Sequence, residues 1–118
     1  CDTVRFADVG WTDITTTTAL ASVVLESIGY KTTAQVLSVP ITYKSLENKD
    51  IDVFLGNWMP TMDADVKPYI ERGTVESIKI NLEGAKYTLA VPQVAYDAGV
   101  KNFADIVKYA DKFDSKVY

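Results

Sequence analysis

The stretch Asp50-Ile51-Asp52-Val53-Phe54-Leu55-Gly56-Asn57-Trp58-Met59-Pro60 decides the fold of this chain. Its apolar segment, residues 51–55, predicts a short buried strand, which the Gly-Asn pair then ends. Pro60 prevents Trp58 from continuing in a sheet. We therefore expect Trp58 just past the carboxyl end of a buried strand, where open α/β sheets bind their ligands.

A second stretch near the start of the chain repeats this arrangement. Residues 4–9 predict a strand, Gly10 breaks it, and Trp11-Thr12-Asp13 follows. Both tryptophans of the chain thus leave a strand end through a glycine. We predict that the two indoles face each other across a ligand crevice. Asp13 also has a purely structural interpretation, as the N-cap of the helix that follows.

Periodicity and turn residues predict the remaining elements. Helices are expected at residues 14–28 (closed by Gly29), 40–48, 64–71 (interrupted by Pro68) and 103–110 (capped by Asn102), with a loop or helical turn at 94–100. Further strands are expected at residues 30–39, 75–81 and 87–91, and another begins at 116–118. The order β-α-β-α-β in the first half demands a parallel sheet with right-handed crossovers. The predicted fold class is α/β, a mostly parallel sheet flanked by helices.

Composition excludes several classes of function. The 118 residues, 47% of them hydrophobic, are enough for one globular domain with a real core. The net charge of −4 and the lack of a basic run argue against nucleic acid and anionic membrane surfaces as partners. The chain has no histidine and one cysteine, which argues against a transition-metal site and against Ser-His or Cys-His catalysis. We predict no cofactor.

The two ends of the sequence suggest a longer protein. Cys1 has three competing interpretations: the lipid-modified first residue of a bacterial lipoprotein, a disulfide partner for sequence that is missing here, or a cloning accident. The chain also stops inside the strand that begins at Lys116, an odd place for a domain to end. We expect the sequence to be the front part of a longer protein.

Three segments together resemble a known family. They are Gly10-Trp11-Thr12-Asp13, residues 50–60, and Gly84-Ala85-Lys86-Tyr87. In this order and spacing they are similar to the first lobe of the substrate-binding proteins of ABC importers for quaternary amines, and most of all to the choline-binding branch of the glycine betaine/choline group. The resemblance runs along nearly the whole chain.

The resemblance implies a two-lobed protein of the type II periplasmic-binding fold, which closes on its ligand at a hinge. Residues 1–91 would form the first lobe, and residues 92–118 the hinge exit and the beginning of a second lobe whose remainder is missing. Trp11, Trp58 and Tyr87 fall on the positions that the first lobe contributes to an aromatic box. Asp13 falls on the carboxylate that meets the ligand hydroxyl in the choline branch.

The implied function is a non-enzymatic one in transport and osmoprotection. The protein would capture choline and deliver it to the membrane permease of an ABC importer. It would be periplasmic, or extracellular and membrane-tethered if Cys1 is lipidated. Glycine betaine, proline betaine and acetylcholine remain alternative ligands.

Ring faces suit such a ligand on physical grounds as well. A trimethylammonium group cannot donate a hydrogen bond, whereas the faces of indole and phenol rings attract its diffuse charge. Asp13 would repel the carboxylate of glycine betaine but accept a hydrogen bond from the hydroxyl of choline, so it favours choline.

Two other classes of function stay open on the residues alone. One is a small hydrolase that uses Asp8, Asp13 or Asp52, although no acid/base spacing supports it. The other is a protein-interaction domain with the tryptophans in its contact patch. Quenching of tryptophan fluorescence by choline would separate these possibilities.

Overall fold

The computed structural model describes residues 2–114 and 116, and the chain divides into two compact units, one up to Asn81 and one from Leu82 onward. The first unit contains β1 (Thr3–Asp8), α1 (Thr12–Ser27), β2 (Lys31–Val36), α2 (Val39–Glu47), β3 (Val53–Phe54) and α3 (Asp63–Glu71). The second unit contains α4 (Gln93–Asp97), α5 (Phe103–Lys108) and a short 3₁₀ helix at Ala110–Phe113. Cys1 lies outside the described residues.

The first unit is built on a three-stranded parallel sheet with the order β2-β1-β3, as the β-α-β-α-β pattern predicted. The central strand, β1, pairs Val4 with Thr32 on one side and Phe6 with Val53 on the other. Phe6 and the following Ala7 are buried, because a central strand of a parallel sheet is covered on both faces. The α/β fold class is confirmed.

Helix α1 begins two residues earlier than an Asp13 cap would require. Trp11 is the N-cap residue: its backbone is extended and its carbonyl accepts a hydrogen bond from the Thr15 amide at 2.9 Å. The prediction that Asp13 caps this helix is therefore wrong, and Asp13 lies in the first turn. At the other end, Gly29 has a positive φ of 99°, which confirms its predicted role in closing the helix.

Helices α2 and α3 pack against each other beside the sheet. The ring of Tyr43 on α2 stacks on the ring of Tyr69 on α3, with centroids 5.9 Å apart. Helix α3 runs without interruption through Pro68, contrary to prediction. Pro68 has no amide hydrogen and gives up one helical hydrogen bond, but the contacts of α3 with α2 outweigh this loss.

Residues 75–81 and 87–91 do not form the strands predicted for them. A strand needs a hydrogen-bonded neighbour, and within the described part of the chain these segments pair with none. The first segment is instead held by the Asn81 side chain, which donates to the Leu55 carbonyl at 2.9 Å. Most of the strand predicted to begin at Lys116 lies outside the described residues.

The second unit contains the helices expected in its sequence. The predicted helical turn at 94–100 is helix α4. The Asn102 side chain accepts hydrogen bonds from the amides of Ala104 and Asp105, so the predicted cap of α5 is confirmed. The boundary between lobes predicted near residues 91 and 92 stays a prediction. None of the helices in residues 2–114 has the length and apolar character that crossing a membrane requires.

A bidentate ion pair ties β1 to the residue that precedes β3. The Arg5 guanidinium donates to both carboxylate oxygens of Asp52, at 2.9 and 2.7 Å, and the Arg5 amide donates to the same carboxylate at 2.8 Å. The Asp52 amide in turn donates to the Arg5 carbonyl at 2.8 Å. These contacts, led by the hydrogen bond from the Arg5 side chain, lower the pKa of Asp52 to about 2.

We expect the free energy of unfolding of Asp52→Asn to depend less on pH below about 4 than that of the wild type. The pKa of Asp52 is below its ordinary value of 3.8 in the folded protein, so the wild type loses free energy of unfolding as the pH falls from that value through about 2. The effect is modest, because both side chains are partly exposed and solvent screens the pair. Urea unfolding at a series of pH values measures it. Asp50→Asn, at an exposed site two residues away, is the control. The same loss of unfolding free energy at low pH in Asp52→Asn and the wild type would contradict the lowered pKa of Asp52.

Candidate functional site

The two tryptophan motifs leave the sheet at the same edge. Strands β1 and β3 are parallel and Ala7 pairs with Phe54, so the carboxyl ends of both strands lie together. Trp11 follows β1 by three residues and Trp58 follows β3 by four. The placement predicted from the sequence, with both indoles just past strand ends, is observed.

A buried carboxylate fixes the turn that leads to Trp11. Asp8 is only 6% exposed, and its two oxygens accept from the Gly10 amide at 2.8 Å and from the Thr15 hydroxyl at 2.7 Å. Gly10 itself has a φ of 77°, a conformation that glycine adopts without strain. The turn is thereby joined to the first turn of α1, while Trp11 remains 44% exposed.

The turn that leads to Trp58 is packed tightly against α1. A Cβ atom on Gly56 would lie 2.7 Å from Cδ1 of Ile14 and 2.8 Å from Cε2 of Phe54, so a larger residue there would force these side chains to shift. The next residue, Asn57, accepts a hydrogen bond from the Tyr43 hydroxyl at 2.8 Å. The loop that carries Trp58 is therefore held both by close packing and by a polar contact.

A direct hydrogen bond joins the two motifs. Nε1 of Trp58 donates to Oδ2 of Asp13 at 3.0 Å, across 45 positions of sequence. The contact sets the Trp58 ring beside a carboxylate at the edge of the sheet. Because one oxygen of Asp13 receives the indole, its other oxygen keeps lone pairs for a further donor. No spacing in the sequence signals this contact, because it depends on the pairing of β1 with β3.

The fourth predicted residue, Tyr87, belongs to the second unit. It lies in a segment without helix or strand and is 84% exposed. The structure thus brings Asp13 and Trp58 together and sets Trp11 at the N-cap of the helix that carries Asp13. A role for Tyr87 in the same site stays a prediction.

The rings of the predicted box differ from other aromatic rings of the described residues in their contacts with cations. Within the part of the chain that the structure describes, Lys and Arg side chains lie over the rings of Tyr69, Tyr96 and Tyr109. None there lies over Trp11, Trp58 or Tyr87. An external cation would therefore not have to displace an internal one.

The carboxylates considered for hydrolysis all have structural partners. Asp8 holds the first turn, Asp52 pairs with Arg5, and Asp13 accepts from the Trp58 indole. None of these arrangements is a pair of carboxylates that could share acid and base roles. Among residues 2–114 and 116, no group of three His, Cys, Asp or Glu side chains could hold a metal ion.

Comparison with protein families identifies one model that matches residues 2–118. Its description is the substrate binding domain of the ABC-type glycine betaine transport system. An uncharacterised protein, ORF1, of Chromohalobacter salexigens is 59% identical over 118 residues, which are all of this chain and 76% of that protein. The glycine betaine/carnitine transport binding protein GbuC of Listeria monocytogenes is 28% identical over 106 residues, 89% of this chain and 34% of GbuC.

Two solved structures are similar to the chain. An ABC-transporter choline binding protein in complex with choline is 60% identical, with a TM-score of 0.88 over all of this chain. An ABC-transporter choline binding protein in an unliganded semi-closed conformation is 61% identical, with a TM-score of 0.79 over 94% of this chain. The chain spans 41% and 38% of the length of these two proteins.

We expect Asp13→Ala to release the Trp58 ring. Loss of one hydrogen bond should speed hydrogen exchange of the Trp58 indole N–H roughly fivefold, while Asp13→Asn, which keeps an acceptor oxygen, should change it less. Exchange is measured by NMR, with the Trp11 indole N–H as the internal reference. Asp63→Ala, which removes an acidic residue from the first turn of α3, is the matched control. Equal exchange rates in Asp13→Ala and the control would show that the bond is not formed in solution.

Proposed function

This chain belongs to the family of substrate-binding domains of ABC-type glycine betaine transport systems, and we propose that it is the first lobe of a binding protein that captures choline. The single observation that carries this proposal is the hydrogen bond from the Trp58 indole to Asp13 at 3.0 Å. It sets an aromatic face and a carboxylate side by side at the ligand-binding edge of a parallel sheet. The similarity to a choline-binding protein that is 60% identical supports the same ligand. The family is one of transport proteins and not of enzymes.

The chemistry of the ligand explains why rings form the site. A trimethylammonium group offers no N–H to an acceptor, so its charge is best met by the faces of Trp11, Trp58 and Tyr87. Each ring contributes about 0.5–2 kcal/mol, so three rings supply at most about 6 kcal/mol. Micromolar affinity needs a net of about 8 kcal/mol, and the cost of immobilising the ligand reduces what the rings supply. A second lobe that closes over the ligand would supply the difference.

Asp13 would decide between ligands that share the trimethylammonium group. Its Oδ2 accepts from Trp58, which leaves Oδ1 for the hydroxyl of choline. The carboxylate of glycine betaine would meet the same oxygen with like charge. Glycine betaine is nevertheless a second candidate ligand, since the family model is named for it and GbuC is named for glycine betaine and carnitine.

The cellular setting follows from the family. A binding protein of an ABC importer works outside the cytoplasm and delivers its ligand to a membrane permease, so we expect both of this protein. A lipid on Cys1 would tether it to the membrane, and a protein without that lipid would be periplasmic.

We expect the complete two-lobed protein to bind choline and to reject its uncharged analogue. Choline should quench tryptophan fluorescence, and calorimetry should give roughly twofold to thirtyfold weaker binding for Trp11→Ala and for Trp58→Ala. The analogue 3,3-dimethylbutan-1-ol has the same shape without the charge, so it separates cation–π binding from simple burial of apolar surface. Equal affinities for choline and the analogue would contradict the cation–π mechanism. Absence of binding to any quaternary amine would overturn the function and favour a protein-interaction domain.

We expect Asp13→Asn to narrow the preference for choline over glycine betaine. The amide keeps an acceptor for Trp58 but loses the charge that favours choline and repels betaine. Choline affinity should fall about tenfold, as for a lost charge-assisted hydrogen bond, while betaine affinity should stay or rise. Calorimetry with both ligands measures the ratio, and Asp63→Asn is the control. Equal losses for the two ligands would remove Asp13 from selectivity.

A further inference from the structure

One buried residue holds the backbone of Trp58 on both sides. The Trp58 amide donates to Sδ of Met62 at 3.3 Å, and the Trp58 carbonyl accepts from the Met62 amide at 2.8 Å. Met62 is 3% exposed. Both backbone polar groups of the ligand-facing tryptophan are therefore bonded to a single core side chain and its own backbone.

A second buried residue holds the position just before Trp58. Tyr43 is 1% exposed, and its hydroxyl donates to Asn57 at 2.8 Å and lies 3.4 Å from the Met62 sulfur. Burial, and after it the charge of Asp65, raises the pKa of Tyr43 to about 12, so the hydroxyl keeps the proton that it donates. The ring itself is fixed by edge contact with Phe54.

We propose that Met62 and Tyr43 are positioning residues that set the direction of the Trp58 ring and, through it, the affinity of the site. The inference rests on the quaternary-amine function proposed above. Both side chains are too deeply buried to meet a ligand, so their effect must pass through residues 57 and 58. Attraction to a ring depends on the cation lying over its face, so a small rotation of the indole weakens binding.

The geometry explains why a loop can hold a ring so firmly. Asp13 holds the Nε1 end of the indole, and Met62 holds the backbone of Trp58 to which the ring is attached. Replacing the sulfur with carbon leaves the Trp58 amide without its acceptor. A rotation of the loop that exposes this amide to water then becomes favourable, because the amide regains a hydrogen bond. This backbone rotation would also rotate the indole ring about its hydrogen bond to Asp13.

The test compares two chemically identical substitutions in the complete protein. Met62→Leu keeps the apolar volume and removes the sulfur acceptor, whereas Met59→Leu makes the same change at an exposed neighbour of Trp58. We expect Met62→Leu to raise the Kd for choline roughly fivefold, and Met59→Leu to leave it unchanged. Tyr43→Phe should behave like Met62→Leu, with Tyr30→Phe as its exposed control. All measurements are made well below the melting temperature of each variant.

A double-mutant cycle shows whether the effect passes through Trp58. In a Trp58→Ala background, Met62→Leu should cost little further affinity, because the ring whose direction Met62 sets is already gone. Near-UV circular dichroism in a Trp11→Phe background, where Trp58 is the only indole, should change with Met62→Leu and not with Met59→Leu.

The outcomes separate the positioning role from the proposed function. Independent, additive effects of Met62→Leu and Trp58→Ala on the Kd would overturn the positioning role, as would an unchanged near-UV spectrum in Met62→Leu. A wild-type protein that binds no quaternary amine would overturn the function instead, and the near-UV comparison would then decide the positioning role by itself.

Discussion

The double pairing of β1 is the constraint on which the site depends. One strand has parallel neighbours on both sides, so the carboxyl ends of β1 and β3 are forced to the same edge. Each strand then ends in a glycine-containing turn that leads to a tryptophan. Without this pairing, Asp13 and Trp58 would be 45 residues apart with no reason to meet. The pairing of the strands therefore determines where the side chains of the site meet.

Each turn at this edge is fixed by a buried polar group and not by regular structure. Asp8 holds the first turn through Gly10 and Thr15, and the Tyr43 hydroxyl and the Met62 sulfur hold the second. Buried polar groups are costly unless they are paired, so these contacts specify one geometry. The two tryptophan rings can then remain partly exposed on well-ordered turns.

The sequence predicted what depends on local pattern and missed what depends on pairing between distant residues. The glycines after β1 and β3 correctly predicted that each tryptophan follows a strand end, and Asn102 correctly predicted the start of α5. Such strand ends and helix caps depend on neighbouring residues. The strands predicted at 75–81 and 87–91 did not form, because apolar alternation says nothing about whether a partner strand is present. The alternative interpretation of Asp13 as a helix cap is wrong, and its carboxylate instead accepts a hydrogen bond from the Trp58 indole. The contacts of Met62 and Tyr43 were likewise invisible in the spacing of the chain.

Because Gly56 has no side chain, the loop that carries Trp58 can pack closely on α1. The backbone of Gly56 lies so close to Ile14 of α1 that a Cβ atom there would collide with that side chain. Asp13 and Trp11 belong to the start of the same helix. The glycine therefore lets the loop approach the helix closely enough for the Trp58 indole to reach Asp13.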